Sequence, residues 1–135
     1  MNKDVPSQEK LTILLVENSR TARAVMTALL SNSGYTVHPA GTGPEALQVL
    51  DSQSVDVVIM DVFMPLMNGY EVTKAIRSSN KPYANIPIIA YTASKNPRDE
   101  VQCKEAGMNE YLVKTEDNKP LLSWLKNYSS GSTEQ

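Results

Sequence analysis

A doubly wound α/β fold, with five parallel strands in one sheet and helices on both faces, is what this sequence predicts. Two observations carry that expectation. Continuous apolar runs of strand length recur along the chain, the pattern of strands covered on both faces. Between them lie segments of helical spacing, most of them opened by a capping residue or a proline. Strand and helix in alternation make a parallel sheet wrapped on both sides.

The elements follow in order. Residues 1–10 are polar and read as a tail. Leu11 to Val16 forms the first strand and ends in Glu17 and Asn18. Ser19 caps a helix whose Ala22, Val25, Met26 and Leu29 share a face, and Ser33-Gly34 stops it. Tyr35 to Ala40 is a short strand, and Gly43-Pro44 opens a helix with Ala46, Leu47, Val49 and Leu50 on its apolar side. Val57 to Met60 is the third strand, closed by Asp61 and followed by the turn signals Met64-Pro65 and Asn68-Gly69. A helix from Gly69 to Arg77 turns Val72 and Ile76 inward, and Ser78 to Asn85 is a polar loop. Ile86 to Tyr91 is the fourth strand, ending in Thr92-Ala93-Ser94. Asn96 and Pro97 start the next helix, which Gly107 ends. Glu110 to Val113, followed by Lys114, is the fifth strand. The last helix aligns Leu121, Trp124, Leu125 and Tyr128, and residues 129–135 read as a second tail.

Composition narrows the function. The 135 residues fit one domain, here 11–128, and 41% hydrophobic with 21% charged residues is ordinary for a globular chain. A net charge of -2 supplies no basic field for gripping nucleic acid. Cys103 is the single cysteine and His38 the single histidine, too few for a disulfide or a zinc site, and a Ser-His-Asp triad would need His38, which sits at a strand end far in sequence from any exposed nucleophile. The first residues lack the apolar core of a signal peptide and no stretch is long enough to span a membrane, so the expected location is cytoplasmic.

The strand ends are where the chemistry gathers. In a parallel sheet all C-terminal tips share one edge, so Glu17, Asn18, Asp61, Thr92 and Lys114 converge there. Two carboxylates with an amide oxygen suit a hard cation that keeps several waters, which is Mg²⁺ rather than zinc. A metal, a lysine and a hydroxyl around a carboxylate answer the needs of phosphoryl transfer, and the carboxylate itself can be the nucleophile.

These stretches carry a resemblance. Ile13 to Asn18, Met60 to Gly69, Pro87 to Ala93 and Ala106 to Lys114 resemble the receiver domain of two-component response regulators, most closely the receivers of hybrid histidine kinases. The likeness covers roughly residues 10–128 and implies the (βα)5 topology called flavodoxin-like or CheY-like. It implies that Asp61 accepts a phosphoryl group from a phosphohistidine, and that Glu17, Asn18, Asp61 and the Phe63 backbone carbonyl hold Mg²⁺. By the same resemblance Thr92 and Lys114 each meet a phosphoryl oxygen, and Tyr111 is the switch aromatic that follows Thr92. The implied partners are a histidine kinase or histidine phosphotransfer domain, with an output partner or fused domain beyond. Such a domain is not an enzyme beyond accepting and hydrolysing its own phosphate. Phe63 and Ser94 stand at positions that tune phosphoryl lifetime in the family; Phe63 reads equally as hindering the attacking water or as packing over its loop.

The chain departs from the family twice. Receivers usually carry two adjacent acids after the first strand, whereas Asn18 follows Glu17 here, which predicts weaker Mg²⁺ binding and slower phosphorylation. The family's lysine is usually followed by a cis-proline, but Thr115 follows Lys114. A cis bond to a non-proline costs about 3–4 kcal/mol, so a trans bond and an altered loop are expected. These departures also define the alternative, a pseudo-receiver that binds partners without phosphorylation. A nucleotide- or flavin-binding enzyme is rejected because no glycine-rich phosphate loop follows the first strand.

Overall fold

The computed structural model describes residues 11–64 and 67–129, so both tail assignments fall largely outside the described residues. Ten elements alternate: β1 (Thr12–Val16), α1 (Arg20–Asn32), β2 (Thr36–Ala40), α2 (Gly43–Ser52), β3 (Val57–Met60), α3 (Gly69–Arg77), β4 (Ile88–Thr92), α4 (Pro97–Ala106), β5 (Glu110–Val113) and α5 (Lys119–Ser129). The five strands pair in the order β2-β1-β3-β4-β5, all parallel. The strand order reverses between β1 and β3, and such a reversal opens a crevice above their C-terminal tips.

Successive residues of each central strand feed opposite layers. Leu14, Val16, Val58, Met60, Ile88 and Ala90 pack with Ala46, Leu50, Val72, Ile76 and Cys103, on the side covered by α2, α3 and α4. Ile13, Leu15, Ile59 and Ile89 pack with Met26, Leu30, Leu121 and Leu125, on the side covered by α1 and α5. That double coverage explains why the strands read as unbroken apolar runs.

Capping sets the helix starts. Ser19 accepts from the Ala22 N–H (3.2 Å) and Thr42 from the Glu45 N–H (3.2 Å). Asn68 and Glu71 form a reciprocal capping box, each bond 3.0 Å. Asn96 accepts from the Arg98 N–H, and Gly107 ends α4 in the left-handed region at φ 113°.

Arg77 forms a clasp at the pole opposite the strand tips. Its guanidinium donates to the carbonyls of Gly107 (3.0 Å), Ala84 (2.9 Å) and Ile86 (2.7 Å) and to Asn109 Oδ1 (2.9 Å). Asn109 Oδ1 also accepts from the Ile88 N–H at 2.8 Å, so one side chain joins the end of α3, the start of β4 and the end of α4. The segment 78–85 is not merely polar filler: Tyr83 and Lys81 both bond Asp51 in α2.

Three sequence expectations need correction. Val25 is 58% exposed, and the buried face of α1 is Met26 with Leu30. A four-residue apolar match at helical spacing fits two adjacent stripes, and packing selects the one that also holds Leu30. Tyr35 is buried but precedes β2, because its N–H caps the Leu30 carbonyl rather than joining the ladder. Ile86 and Pro87 precede β4, where the Pro87 carbonyl still accepts from the Val58 N–H at 2.9 Å. The Lys114–Thr115 bond is trans, as expected; there is no cis peptide among the described residues.

The corrected α1 face has a measurable outcome. Leu30→Ala should cost about 2–5 kcal/mol in urea unfolding, the range for a fully buried leucine. Val25→Ala should stay within about 0.5 kcal/mol, as for an exposed position. Comparable losses at the two sites would reverse the assignment of the inner face.

Candidate functional site

The crevice above β1 and β3 is built from backbone outward. The Glu17 N–H donates to the Ala40 carbonyl (3.0 Å) and the Asp61 N–H to the Val16 carbonyl (2.9 Å), so both acids extend the parallel ladder by one residue. Asp61 therefore stands at the mouth of a strand whose four residues are all buried. Gly69 permits the close return of the chain: a Cβ there would lie 2.8 Å from the Asp61 carbonyl oxygen and 2.9 Å from Val62 Cα. Both are backbone atoms that cannot swing aside.

Glu17 is only 6% exposed and is held at both oxygens. Oε2 accepts from the Ser19 N–H at 3.0 Å, and Oε1 forms an ion pair with Lys114 Nζ at 3.0 Å. The Lys114 ammonium also lies 5.9 Å from the centre of the Tyr91 ring. The lysine's ion-pair partner is thus Glu17. For Asp61, burial raises the carboxyl pKa most, and the neighbouring Glu17 charge raises it further. Lys114 and the Phe63 backbone N–H pull it back, and the net result is pushed up to about 6.

Thr92, buried at the tip of β4, accepts from the Ser94 N–H at 3.2 Å through Oγ1, which leaves its hydroxyl proton free to donate elsewhere. Ser94 then links three parts. Its carbonyl accepts from the Tyr111 hydroxyl (2.7 Å), its hydroxyl donates to Asp99 in the first turn of α4, and its Oγ accepts from the Asn96 N–H (3.2 Å). Asn18 is exposed at the rim, and Phe63 is 55% exposed.

The structure brings Glu17, Asp61 and Lys114 together as the sequence predicts, with Thr92 and Tyr111 joined through Ser94 on the β4 side. Sequence reasoning missed Arg23, whose Nη1 donates to the Glu17 carbonyl at 2.9 Å and the Asn18 carbonyl at 3.4 Å. The sequence also gave no sign that Lys114 would rest on Glu17.

The sequence model of the response regulator receiver domain matches residues 13–126. The chain belongs to this family. As a receiver it is 38% identical over 127 residues to the CAI-1 autoinducer sensor kinase/phosphatase CqsS of Vibrio cholerae, covering 91% of this chain and 18% of that protein. It is 30% identical to Histidine kinase 1 of Arabidopsis thaliana, covering 98% of this chain and 14% of the kinase. Against these and the transcriptional regulators it resembles, this chain spans about half of the relative's length or less. Among solved structures, the Vibrio cholerae chemotaxis protein CheY4 superposes with a TM-score of 0.81 at 33% identity, covering 88% of this chain and 98% of that one. The receiver domain of the Pseudomonas aeruginosa sensor histidine kinase PA1611 gives 0.79 at 33% identity, covering 90% of this chain and 99% of that one, with a magnesium ion coordinated in its active-site cleft. The fold is the CheY-like one and the domain is a receiver of two-component signalling. No described helix is long and apolar enough to cross a membrane.

The donor set of this receiver fits a hard divalent cation. Two carboxylates raise one another's energy in a half-buried crevice, and a cation between them would relieve that cost. Among the described residues no cluster of three or more acidic, histidine or cysteine side chains exists to do this by side chains alone. An amide or backbone oxygen would have to complete such a site.

The raised Asp61 pKa has a stability consequence. The folded state holds this proton more tightly than the unfolded chain does, about 6 against 3.8. Its contribution is therefore fully present below the unfolded value and lost as pH rises through about 6. Without divalent cations, Asp61→Asn should stabilise the protein by about 1–2 kcal/mol above pH 7, a figure discounted for solvent screening. The gain should shrink toward zero near pH 4 in thermal unfolding. A gain independent of pH would remove the electrostatic explanation.

Proposed function

We propose that this receiver accepts a phosphoryl group on Asp61 from a phosphohistidine of a histidine kinase or histidine phosphotransfer domain, with residues 11–128 as the signalling unit. The observation that supports it most is Asp61 itself, a carboxylate at a strand tip facing Glu17 and Lys114, its charge left for a ligand to balance. One Asp61 oxygen attacks the phosphorus, the P–N bond breaks, and the histidine nitrogen leaves with the electron pair and takes up a proton. Glu17, Asn18, Asp61 and the Phe63 carbonyl would hold Mg²⁺, which supplies charge neutralisation for the transferring group. Lys114 exchanges its Glu17 partner for a phosphoryl oxygen, and Thr92 donates its free hydroxyl proton to another. Tyr111 then follows Thr92 through their shared partner Ser94. The domain is no enzyme toward other substrates; it accepts and hydrolyses its own phosphate. Its site of action is the cytoplasm, and its output passes to a partner or fused domain rather than to nucleic acid or membrane directly.

Intact-mass spectrometry after incubation with acetyl phosphate and Mg²⁺ tests this. The expected result is one phosphate adduct that requires Mg²⁺ and is absent from Asp61→Ala. No adduct from acetyl phosphate or from a phosphohistidine donor would favour the phosphorylation-independent binding module.

Asn18 sets a second expectation. Restoring the acid with Asn18→Asp adds a carboxylate to the donor set, so Mg²⁺ should bind more tightly and adduct formation should quicken. Unchanged Mg²⁺ affinity would show that Asn18 is not a ligand.

A further inference from the structure

We infer that Arg23 is a positioning residue for the cation site, and that it acts by fixing the backbone that carries Asn18. The inference rests on the phosphoacceptor reading above and adds to it a residue outside the donor set. Arg23, the fourth residue of α1, reaches back to the turn after β1, where Nη1 donates to the carbonyls of Glu17 (2.9 Å) and Asn18 (3.4 Å). The same turn is held from its other side, because the Ser19 N–H donates to Glu17 Oε2 at 3.0 Å. Carbonyls tied to one group and an N–H tied to another fix both peptide planes that flank Asn18.

Asn18 needs this more than an acid would. A carboxylate offers two equivalent oxygens, so many orientations place one of them on a cation. An amide offers one oxygen, and its NH₂ repels the cation, so half of its orientations are useless. A site that has exchanged an acid for an amide depends on the direction in which the backbone aims it.

The seat of the guanidinium is equally specific. A Cβ on Gly41 would lie 2.8 Å from Arg23 Nη1 and 3.2 Å from Cζ, and it would meet no backbone atom at that range. Gly41 has an ordinary backbone conformation, and its N–H is bonded to Glu45 Oε1 at 2.7 Å. Gly41→Ala should therefore displace the guanidinium while the chain around it stays in place, an independent route to the same perturbation.

The experiment is isothermal titration of MgCl₂ into the full chain, with unfolding curves on the same samples. Arg23→Ala should weaken Mg²⁺ by about 3–10-fold, less than a lost charged hydrogen bond is worth because the contact acts on the ligand only through the backbone. Arg23→Lys should recover part of that loss, and Gly41→Ala should reproduce the weakening. In an Asn18→Asp background the Arg23→Ala effect should fall to within about 2-fold, the mark of coupling between the two positions. Wild-type affinity in Gly41→Ala and in folded Arg23→Ala would overturn the inference. So would equal weakening in both backgrounds, which would reduce Arg23 to a stabilising contact. If the wild-type protein, fully folded, shows no Mg²⁺ binding, the phosphoacceptor reading fails together with this one; if the wild type binds and the variants match it, only this one fails.

Discussion

Two carboxylates forced to share one crevice are the constraint around which the upper edge of the sheet is arranged. Glu17 and Asp61 are placed there by adjacent parallel strands, each continuing the ladder past its last apolar residue. Neither strand can shift without turning its whole apolar set to the wrong layer, so the acids cannot move apart. Compensation must come from elsewhere in the chain, and Lys114 supplies it from the tip of β5 by lying on Glu17. Asp61 receives less of that charge and keeps a raised pKa. The asymmetry gives the two acids different roles: Glu17 is held at both oxygens, and Asp61 remains the less satisfied carboxylate.

The elements and their order were legible in the sequence because burial on both faces leaves an unmistakable apolar run, and caps and turn glycines punctuate the rest. The convergence of Glu17, Asp61 and Lys114 was also legible, since parallel strands deliver their tips to one edge. What remained hidden is contact choice among side chains that can reach several partners. Val25 and Leu30 lie on different stripes of α1, and only the shape of the layer beneath the helix decides which stripe turns inward. Lys114 can reach more than one acid, and the sequence holds no information on which one it meets first. Arg23 was hidden for a further reason: its acceptors are backbone carbonyls, which every residue has.

Ser94 shows how one small side chain can connect a site to a distant surface. Its N–H, carbonyl and hydroxyl reach Thr92, Tyr111 and Asp99, which belong to β4, β5 and α4. The buried residues around it add little polar competition: the Cys103 thiol is pushed up to about 11 by burial and stays neutral. The Tyr70 hydroxyl close by has no hydrogen-bond partner of ordinary geometry. Among the described contacts, the polar path from Thr92 to α4 runs through Ser94.

The Arg77 clasp gives α4 two unequal ends. Its C-terminal end is fastened through the Gly107 carbonyl and Asn109 to α3 and β4, whereas its first turn is tied through Asp99 to the serine beside the site. Mechanically that makes the helix a lever with a fixed fulcrum. Ten residues span about 15 Å, so a tilt of about 10° about the fastened end carries the first turn through roughly 2.6 Å while the far end scarcely moves. A rearrangement at Ser94 would thereby reach the outer surface near Val101 as a tilt of α4, smaller there than at Asp99 because Val101 lies nearer the end that the arginine fastens.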